Sequence, residues 1–171
     1  MNNMIRFAIP GLAAFSAALL LSGCAGMLRE APNPGDPQDV VQAKLGAPTA
    51  VYADANGRTL EYATGPMGQN TWMARLGPDG RLQSYEQVLT SEKFATIKID
   101  AATREEVLRT LGRPAERSQV AMRDYEVWSY RYKEAGVWNS LMHVHFDAQG
   151  VVRQMMNGPD PMYEPRDRFG F

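Results

Sequence analysis

The sequence has a single cysteine, Cys24, and only two histidines among 171 residues. One cysteine excludes an internal disulfide, so the fold must be held together by core packing. So few cysteines and histidines leave little from which to build a zinc or copper site. Charge is also nearly balanced, with 18 Lys and Arg against 19 Asp and Glu. A nucleic-acid-binding protein would show a clear basic excess, so nucleic acid is not an expected partner.

The sequence also lacks an apolar run long enough to span a bilayer. The longest run, from Phe7 to Leu21, has about fifteen residues, and Arg6 precedes it. This is the pattern of a secretory signal. The run ends in "LSGC", which resembles a bacterial lipobox. Residues 1–23 are therefore predicted to be a lipoprotein signal peptide, and an ordinary secretory signal is the alternative.

The lipobox resemblance implies that Cys24 carries diacylglycerol and an N-acyl lipid and becomes the first residue of the mature protein. No other cofactor is expected. Ala25 follows the cysteine instead of the aspartate associated with inner-membrane retention. The resemblance therefore implies an outer-membrane protein that is lipid-anchored and faces the periplasm. Acyl chains hold a protein on a membrane without a spanning segment.

Cleavage after residue 23 leaves 148 residues, enough for one domain or two very small ones. Residues 24–35 are rich in proline and glycine and are predicted to form a flexible tether. Prolines also interrupt the other end of the chain. Residues 158–171 are accordingly predicted to be a disordered tail.

A short motif occurs twice: "VQAKLGAP" at 41–48 and "VLRTLGRP" at 107–114. The valine and leucine of each copy are four residues apart and share a helix face. The glycine that follows is typical of a helix end, and the proline prevents continuation. Matching positions differ by 66 in number, which indicates an internal repeat. The motif is predicted to end a helix in each repeat and not to form an active site.

Alternating hairpins follow both copies. Asn56-Gly57 and Pro78-Asp79-Gly80 are turn signals in the first copy, and "DAQG" at 147–150 is one in the second. The offset between copies grows to 68 and then 70 along these hairpins. Residues 36–89 and 90–157 are predicted to be tandem units, each a helix followed by an antiparallel meander, giving an α+β fold.

The order of these features resembles the BamE (SmpA/OmlA) lipoprotein family. A lipobox is followed by a helix that ends in "LGxP", then by a strand rich in Tyr and Trp, and then by an alternating hairpin. The stretch "FATIKIDAATREEVLRTLGRP" carries the resemblance best, although Asp100-Ala101-Ala102 stands where the family usually has glycine. A single unit is usual in BamE. Two units side by side resemble the β-lactamase inhibitor protein, which is built from a duplicated helix–sheet module.

Strand alternation sorts the side chains of each sheet onto two faces. Leu60, Trp128 and Tyr130 belong to the face predicted to pack on the helices. The opposite face is mixed and is predicted to be open; a solvated face without a partner is the alternative. Arginine, tyrosine and methionine suit protein interfaces. The candidate partner-binding residues on that face are Arg75, Tyr85, Arg131, His143, His145 and Arg153.

His143 and His145 share a strand face but have no spaced carboxylate or cysteine beside them, so no metal site is predicted. No serine or cysteine has the context of an activated nucleophile, so no catalytic residue is predicted. By resemblance the protein is an accessory component of an envelope complex, the β-barrel assembly machinery being the implied partner. The resemblance also implies contact of Arg75, Arg131 and Arg153 with anionic phospholipid or an acidic partner. An inhibitor-like module that docks its sheet onto an envelope enzyme is the alternative, and a structural lipoprotein without a fixed partner is a third.

Overall fold

The computed structural model describes residues 30–120 and 122–163. The predicted signal peptide, Cys24 and most of the predicted tether lie outside these residues. From Pro32 onward the chain belongs to one compact unit. Three helices and eight strands are described: α1 (Gln38–Leu45), β1 (Ala50–Asp54), β2 (Gly57–Ala63), β3 (Thr71–Leu76), β4 (Leu82–Gln87), α2 (Ser91–Phe94), α3 (Arg104–Leu111), β5 (Glu116–Val120), β6 (Tyr125–Glu134), β7 (Trp138–Phe146) and β8 (Val152–Pro159).

Helices α1 and α3 end as the doubled motif predicts. Gly46 follows α1 with φ 86° and ψ −165°, and Gly112 follows α3 with φ 81° and ψ −164°. Positive φ strains side chains other than glycine, which explains why both copies place a glycine here. Helix α3 also begins with a capping box in which Thr103 and Glu106 each bond to the other's backbone N–H.

The strands form two antiparallel meanders of four strands, with orders β1-β2-β3-β4 and β5-β6-β7-β8. We call α1 with β1–β4 the first repeat, and α2 and α3 with β5–β8 the second repeat. The α+β class with two tandem units is confirmed. Each meander also has a one-residue bulge in its last strand. The bulged residues, Gln83 and Arg153, have no paired residue on the neighbouring strand. The two bulged residues differ by 70 in number, as the drifting repeat offset requires.

Two apolar clusters arrange the elements in layers. Val41 of α1 packs with Leu60, Ala74 and Leu82 on one face of the first sheet. The larger cluster joins the other face of the first sheet, α2, α3 and the second sheet. Its buried members include Met73, Phe94, Val107, Leu111, Trp128, Tyr130 and Val144. The first sheet is therefore covered on both faces, and the two repeats share one core.

The end of the second repeat differs from the sequence-based boundary at residue 157. Strand β8 continues to Pro159, because Gly158 and Pro159 pair with Leu141 and Ser140 of β7. Residues 161–163 then form a turn, and Asp160 is buried. The beginning of the segment predicted as a disordered tail is thus part of the fold. Residues 164–171 lie outside the described residues.

Candidate partner-binding surfaces

The six candidate residues do not form one surface, and Arg75 shows why. Arg75 lies on the face of the first sheet that the second repeat covers. Its guanidinium donates to the carbonyl oxygen of Arg109 in α3 at 3.4 Å and pairs with Glu86 at 3.4 Å. The prediction of an open face is therefore wrong for the first sheet. The sequence pattern showed which side chains share a face but not that a second layer would cover it.

Tyr85 lies on the face opposite to the predicted one. The bulge at Gln83 shifts the register of β4, so that Tyr85 pairs with Ala74 and its ring stacks on Trp72 at 4.9 Å. One extra residue moves every later side chain to the other face of a sheet. Tyr85 accordingly packs against the α1 cluster.

Arg153 is the bulged residue of β8, and its partners are acidic. The guanidinium bonds to Asp147 at 2.7 Å and to Asp100 at 2.9 Å. These contacts stabilise the β7–β8 turn against the loop before α3. Arg75, Arg131 and Arg153 each have a carboxylate partner within the fold. None of the three is a free cation for a phospholipid head group.

Arg131, His143 and His145 do lie together, on the face of the second sheet that points away from α3. We call this the outer face of the second sheet. The Ser129 hydroxyl and His143 Nδ1 are 2.8 Å apart, and the ring of Tyr125 lies edge-on to His145. Burial, and then the nearby charges of His143 and Arg123, lower the pKa of His145. The buried cluster that contains the side chains of α2 and α3 lies on the opposite face of this sheet.

Arg131 connects the β2–β3 loop to the turn after β8. Its guanidinium donates to the carbonyl oxygen of Pro66 at 3.1 Å and pairs with Asp160 at 2.5 Å. The Asp160 backbone N–H in turn bonds to the carbonyl oxygen of Asn139 at 3.0 Å. The pair is nearly buried, with the Arg131 side chain 13% and the Asp160 side chain 0% exposed. Three segments that are distant in sequence therefore meet here: the β2–β3 loop, the β6–β7 hairpin and the turn after β8.

These three segments expose large apolar side chains. We call this group the end surface; it consists of Met67, Val137, Trp138, Met162 and Tyr163. Trp138 is 69% and Met67 is 62% exposed. Tryptophan and tyrosine are frequent anchors in protein interfaces, so these exposed side chains are candidates for a partner contact. Sequence reasoning missed this surface because its members come from three segments that are far apart in the chain.

A buried carboxylate, also missed, joins the two repeats. Glu61 of β2 is fully buried and accepts hydrogen bonds from the Tyr52 hydroxyl at 2.5 Å and from the Arg113 backbone N–H at 3.2 Å. Burial, and then the hydrogen bond to Glu61, raise the pKa of Tyr52 well above its usual value. The signal was available in the sequence: an acidic residue lies mid-strand between Leu60 and Tyr62, on the side opposite to both.

A cleft of about 260 Å³ opens beside Glu61 between the repeats. Its walls are mainly apolar and include Ala63, Pro66, Leu89 and Pro114. Glu61 faces hydrogen-bond donors from the protein itself, so the carboxylate has no unmet need for a ligand. We therefore interpret the cleft as a gap in the packing between the two repeats and not as a ligand site.

Within residues 30–120 and 122–163, no three His, Cys, Asp or Glu side chains are grouped to hold a metal ion. No helix there has the length and apolar character needed to cross a bilayer. The prediction of a non-catalytic protein without a metal stays a prediction.

Residues 86–156 match the family model described as "Outer membrane protein assembly factor BamE domain". The resemblance to BamE is confirmed for this stretch, which runs from the end of β4 into β8. No curated protein gives a match.

Similar solved structures include the DUF4309 family protein YjgB from Bacillus subtilis, at 17% identity and a TM-score of 0.27 over 71% of this chain and 76% of that chain. They also include the "putative beta-lactamase inhibitor protein" from Streptococcus mutans, at 12% identity and a TM-score of 0.31 over 77% of this chain and 88% of that chain.

Proposed function

We propose that this protein is a non-catalytic accessory component of envelope assembly, and specifically of the machinery that inserts β-barrel proteins into the outer membrane. The observation that carries the proposal is the match of residues 86–156 to the BamE assembly-factor domain. Acylation of Cys24 would hold the fold at the inner leaflet of the outer membrane, facing the periplasm. The anchor would act by raising the local concentration of the protein near its partner.

The end surface is the proposed contact with that partner. Trp138 and Tyr163 offer aromatic anchors, and Met67 and Met162 offer adaptable apolar contacts. The Arg131–Asp160 pair holds the three contributing segments in register before a partner arrives, which lowers the ordering cost of binding. Arg131 thus keeps a role in partner binding, but as the residue that positions the surface and not as a free charge.

The test places a photo-crosslinking residue at Trp138 and at Met67 in the acylated, membrane-bound protein. Val51 supplies a matched control, because it is an apolar side chain with 53% exposure on the edge strand β1. Captured proteins are identified by mass spectrometry. We expect both end-surface positions, and not Val51, to capture a component of the outer-membrane assembly machinery.

A Cys24→Ala variant distinguishes the accessory function from the inhibitor-like alternative. An accessory contact should weaken strongly when the anchor is removed. Capture of a soluble periplasmic enzyme that is independent of Cys24 would replace the proposal with the inhibitor-like reading. Equal capture at Val51, or none at Trp138 and Met67, would remove the end surface from the proposal.

A further inference from the structure

The contact between the two repeats has a counterpart on the outer face of the second sheet, and none of the helices within residues 30–120 and 122–163 covers it. In the first sheet, the face that receives α3 contains Tyr52, Glu61, Met73 and Arg75. The strand registers of the two sheets match pair for pair, since Glu61 pairs with Met73 just as Ser129 pairs with His143. The positions on the second sheet equivalent to Tyr52, Asp54, Glu61, Met73 and Arg75 are Ser118, Val120, Ser129, His143 and His145.

The turn after β8 occupies part of this equivalent position on the second sheet. Thr90 begins α2 by accepting the Lys93 backbone N–H with its side chain, and Asp160, seventy residues later, accepts the Met162 backbone N–H with its side chain. The turn at 161–163 therefore stands where α2 begins in the preceding repeat. What the outer face lacks, within the described residues, is an equivalent of α3.

Helix α1 is the equivalent of α3, since both ends of the two helices differ by 66 in number. No helix precedes α1 within residues 30–37. A second copy of this chain would therefore bring an α1 without an α2 to a sheet whose α2 position is already taken. Ala43 lies on the exposed side of α1, so this helix face is available, and Ala47, just after the helix, is exposed as well.

The residues that form the contact between repeats can be compared with their equivalents on the outer face and on α1, and both members of each contacting pair differ in character. Asp54 forms an ion pair with Arg109 at 2.7 Å in the contact between repeats. The equivalents of these two residues are Val120 and Ala43, so acid and base are both replaced by apolar side chains. Tyr52 and Leu108, which pack on the shared core, correspond to Ser118 and Gln42, so two apolar groups are replaced by polar ones.

One of the two contacts to the backbone also has a counterpart. Arg75 donates to the carbonyl oxygen of Arg109, and the equivalent His145 has a ring N–H for the carbonyl oxygen of Ala43 in another copy. Glu61 accepts the backbone N–H of Arg113, whereas the equivalent Ser129 is buried and its hydroxyl lies 2.8 Å from His143 Nδ1, so this second contact has no counterpart.

We propose that the outer face of the second sheet binds α1 of a second copy of this chain, head to tail, and so repeats the contact between the two repeats from one molecule to the next. Such a contact uses two different surfaces and extends into a row of molecules unless the rotation closes a ring. The proposal is independent of the end surface and of the lipid anchor. It would hold even if the accessory function failed its test.

Disulfide crosslinking in membranes tests the proposal with the native chain. One tagged copy carries Ala43→Cys and a differently tagged copy carries Val120→Cys. We expect a mixed-tag dimer on mild oxidation. The matched control replaces Val120→Cys by Val51→Cys, an exposed valine on the corresponding edge strand of the first sheet. Copies without an engineered cysteine measure any background from Cys24.

A dimer no more abundant than in the Val51→Cys control would overturn the proposal. So would a dimer formed by Ala43→Cys with itself or by Val120→Cys with itself, because a head-to-tail contact brings neither pair together. A second measurement restores the ion pair across copies. Co-purification of Ala43→Arg with Val120→Asp should exceed that of Ala43→Asp with Val120→Asp about two- to five-fold, the range expected for an exposed ion pair. Equal recovery would count against the contact.

Discussion

At the scale of single residues, the most consequential side chain is Glu61. The carboxylate is buried where the two repeats meet and is satisfied by donors from both of them: Thr49 and Tyr52 from the first repeat and the Arg113 backbone from the second. Buried charges are tolerated when they are fully hydrogen-bonded and are costly otherwise. Glu61 therefore favours one relative placement of the repeats over others.

Glu61→Ala should destabilise the protein by about 2–4 kcal/mol, because the Tyr52 hydroxyl and the Arg113 N–H would lose their acceptor in a dry site. Urea unfolding measures the change. The matched control is Glu105→Ala, whose side chain is 73% exposed and pairs only at the surface, and it should cost at most about 0.5 kcal/mol. Similar losses for both variants would contradict the role given to Glu61.

Stability should fall as pH decreases from about 7 to about 5. The pKa of His145 is lowered from 6.5 by burial, and then by His143 and Arg123. The unfolded chain therefore binds this proton more readily than the folded protein does. The stabilising effect is present above the unfolded-state pKa and is lost as pH falls through the folded-state value.

Urea midpoints of the wild type and of His145→Gln at about pH 7.5, 6.5 and 5.5 would measure this effect. The variant should show a shallower decline over that range. Carboxylates with lowered pKa values, such as Asp36 and Glu86, titrate below the same range and should act only at lower pH. An unchanged slope in His145→Gln would exclude this histidine as the source.

At the scale of elements, helix termination positions the contact between repeats. Gly112 ends α3 in a conformation that only glycine adopts freely, and this turn brings the Arg113 N–H to Glu61. A Cβ at Gly112 would lie 3.0 Å from the Glu61 carboxyl group and 3.0 Å from Thr71 Cγ2. The glycine thus satisfies both the backbone geometry and the close approach of the two repeats.

Gly112→Ala should therefore destabilise the protein by about 3 kcal/mol or more, through backbone strain together with crowding at Glu61. Gly80→Ala is the control for backbone strain alone, since Gly80 has φ 73° and nothing within 4 Å of its would-be Cβ. That variant should cost about 1–2 kcal/mol. Thermal unfolding compares the two. Equal losses would show that the crowding at Glu61 contributes nothing.

At the scale of the whole molecule, the shared core makes the two repeats one folding unit. Met73 of the first sheet is buried in the same cluster as Leu111 of α3 and Tyr130 of the second sheet. Neither repeat on its own would cover the face that this cluster buries. The 66-to-70-residue repeat is therefore a unit of sequence and topology but not of stability.

Native-state hydrogen exchange should consequently give the same opening free energy for the slowest amides of β2 and β6, the equivalent central strands. Met73→Ala should lower both values together, by about 2–4 kcal/mol. The exposed Val51→Ala is the control and should leave both nearly unchanged. Loss of protection in β2 alone would mean that the repeats unfold separately.

The repeat, the helix ends and most of the second sheet were predictable because each depends on local pattern. Val107 and Leu111 are buried on one face of α3, and Trp128 and Tyr130 point into the core as alternation requires. Alternation failed at Tyr85, which lies beyond the bulge at Gln83. A bulge depends on pairing with a neighbouring strand, so the residues of a single strand do not reveal it.

The sequence by itself determined the doubled helix–meander unit, the glycine that ends each helix and the two faces of each unbroken strand, because backbone sterics and side-chain periodicity act over a few residues. Only the tertiary structure decided which of those faces are covered. Arg75 faces the second repeat, whereas His145, at the equivalent position, faces away from it. Layer order and the meeting of distant loops at Arg131 depend on long-range packing, which identical local patterns do not specify.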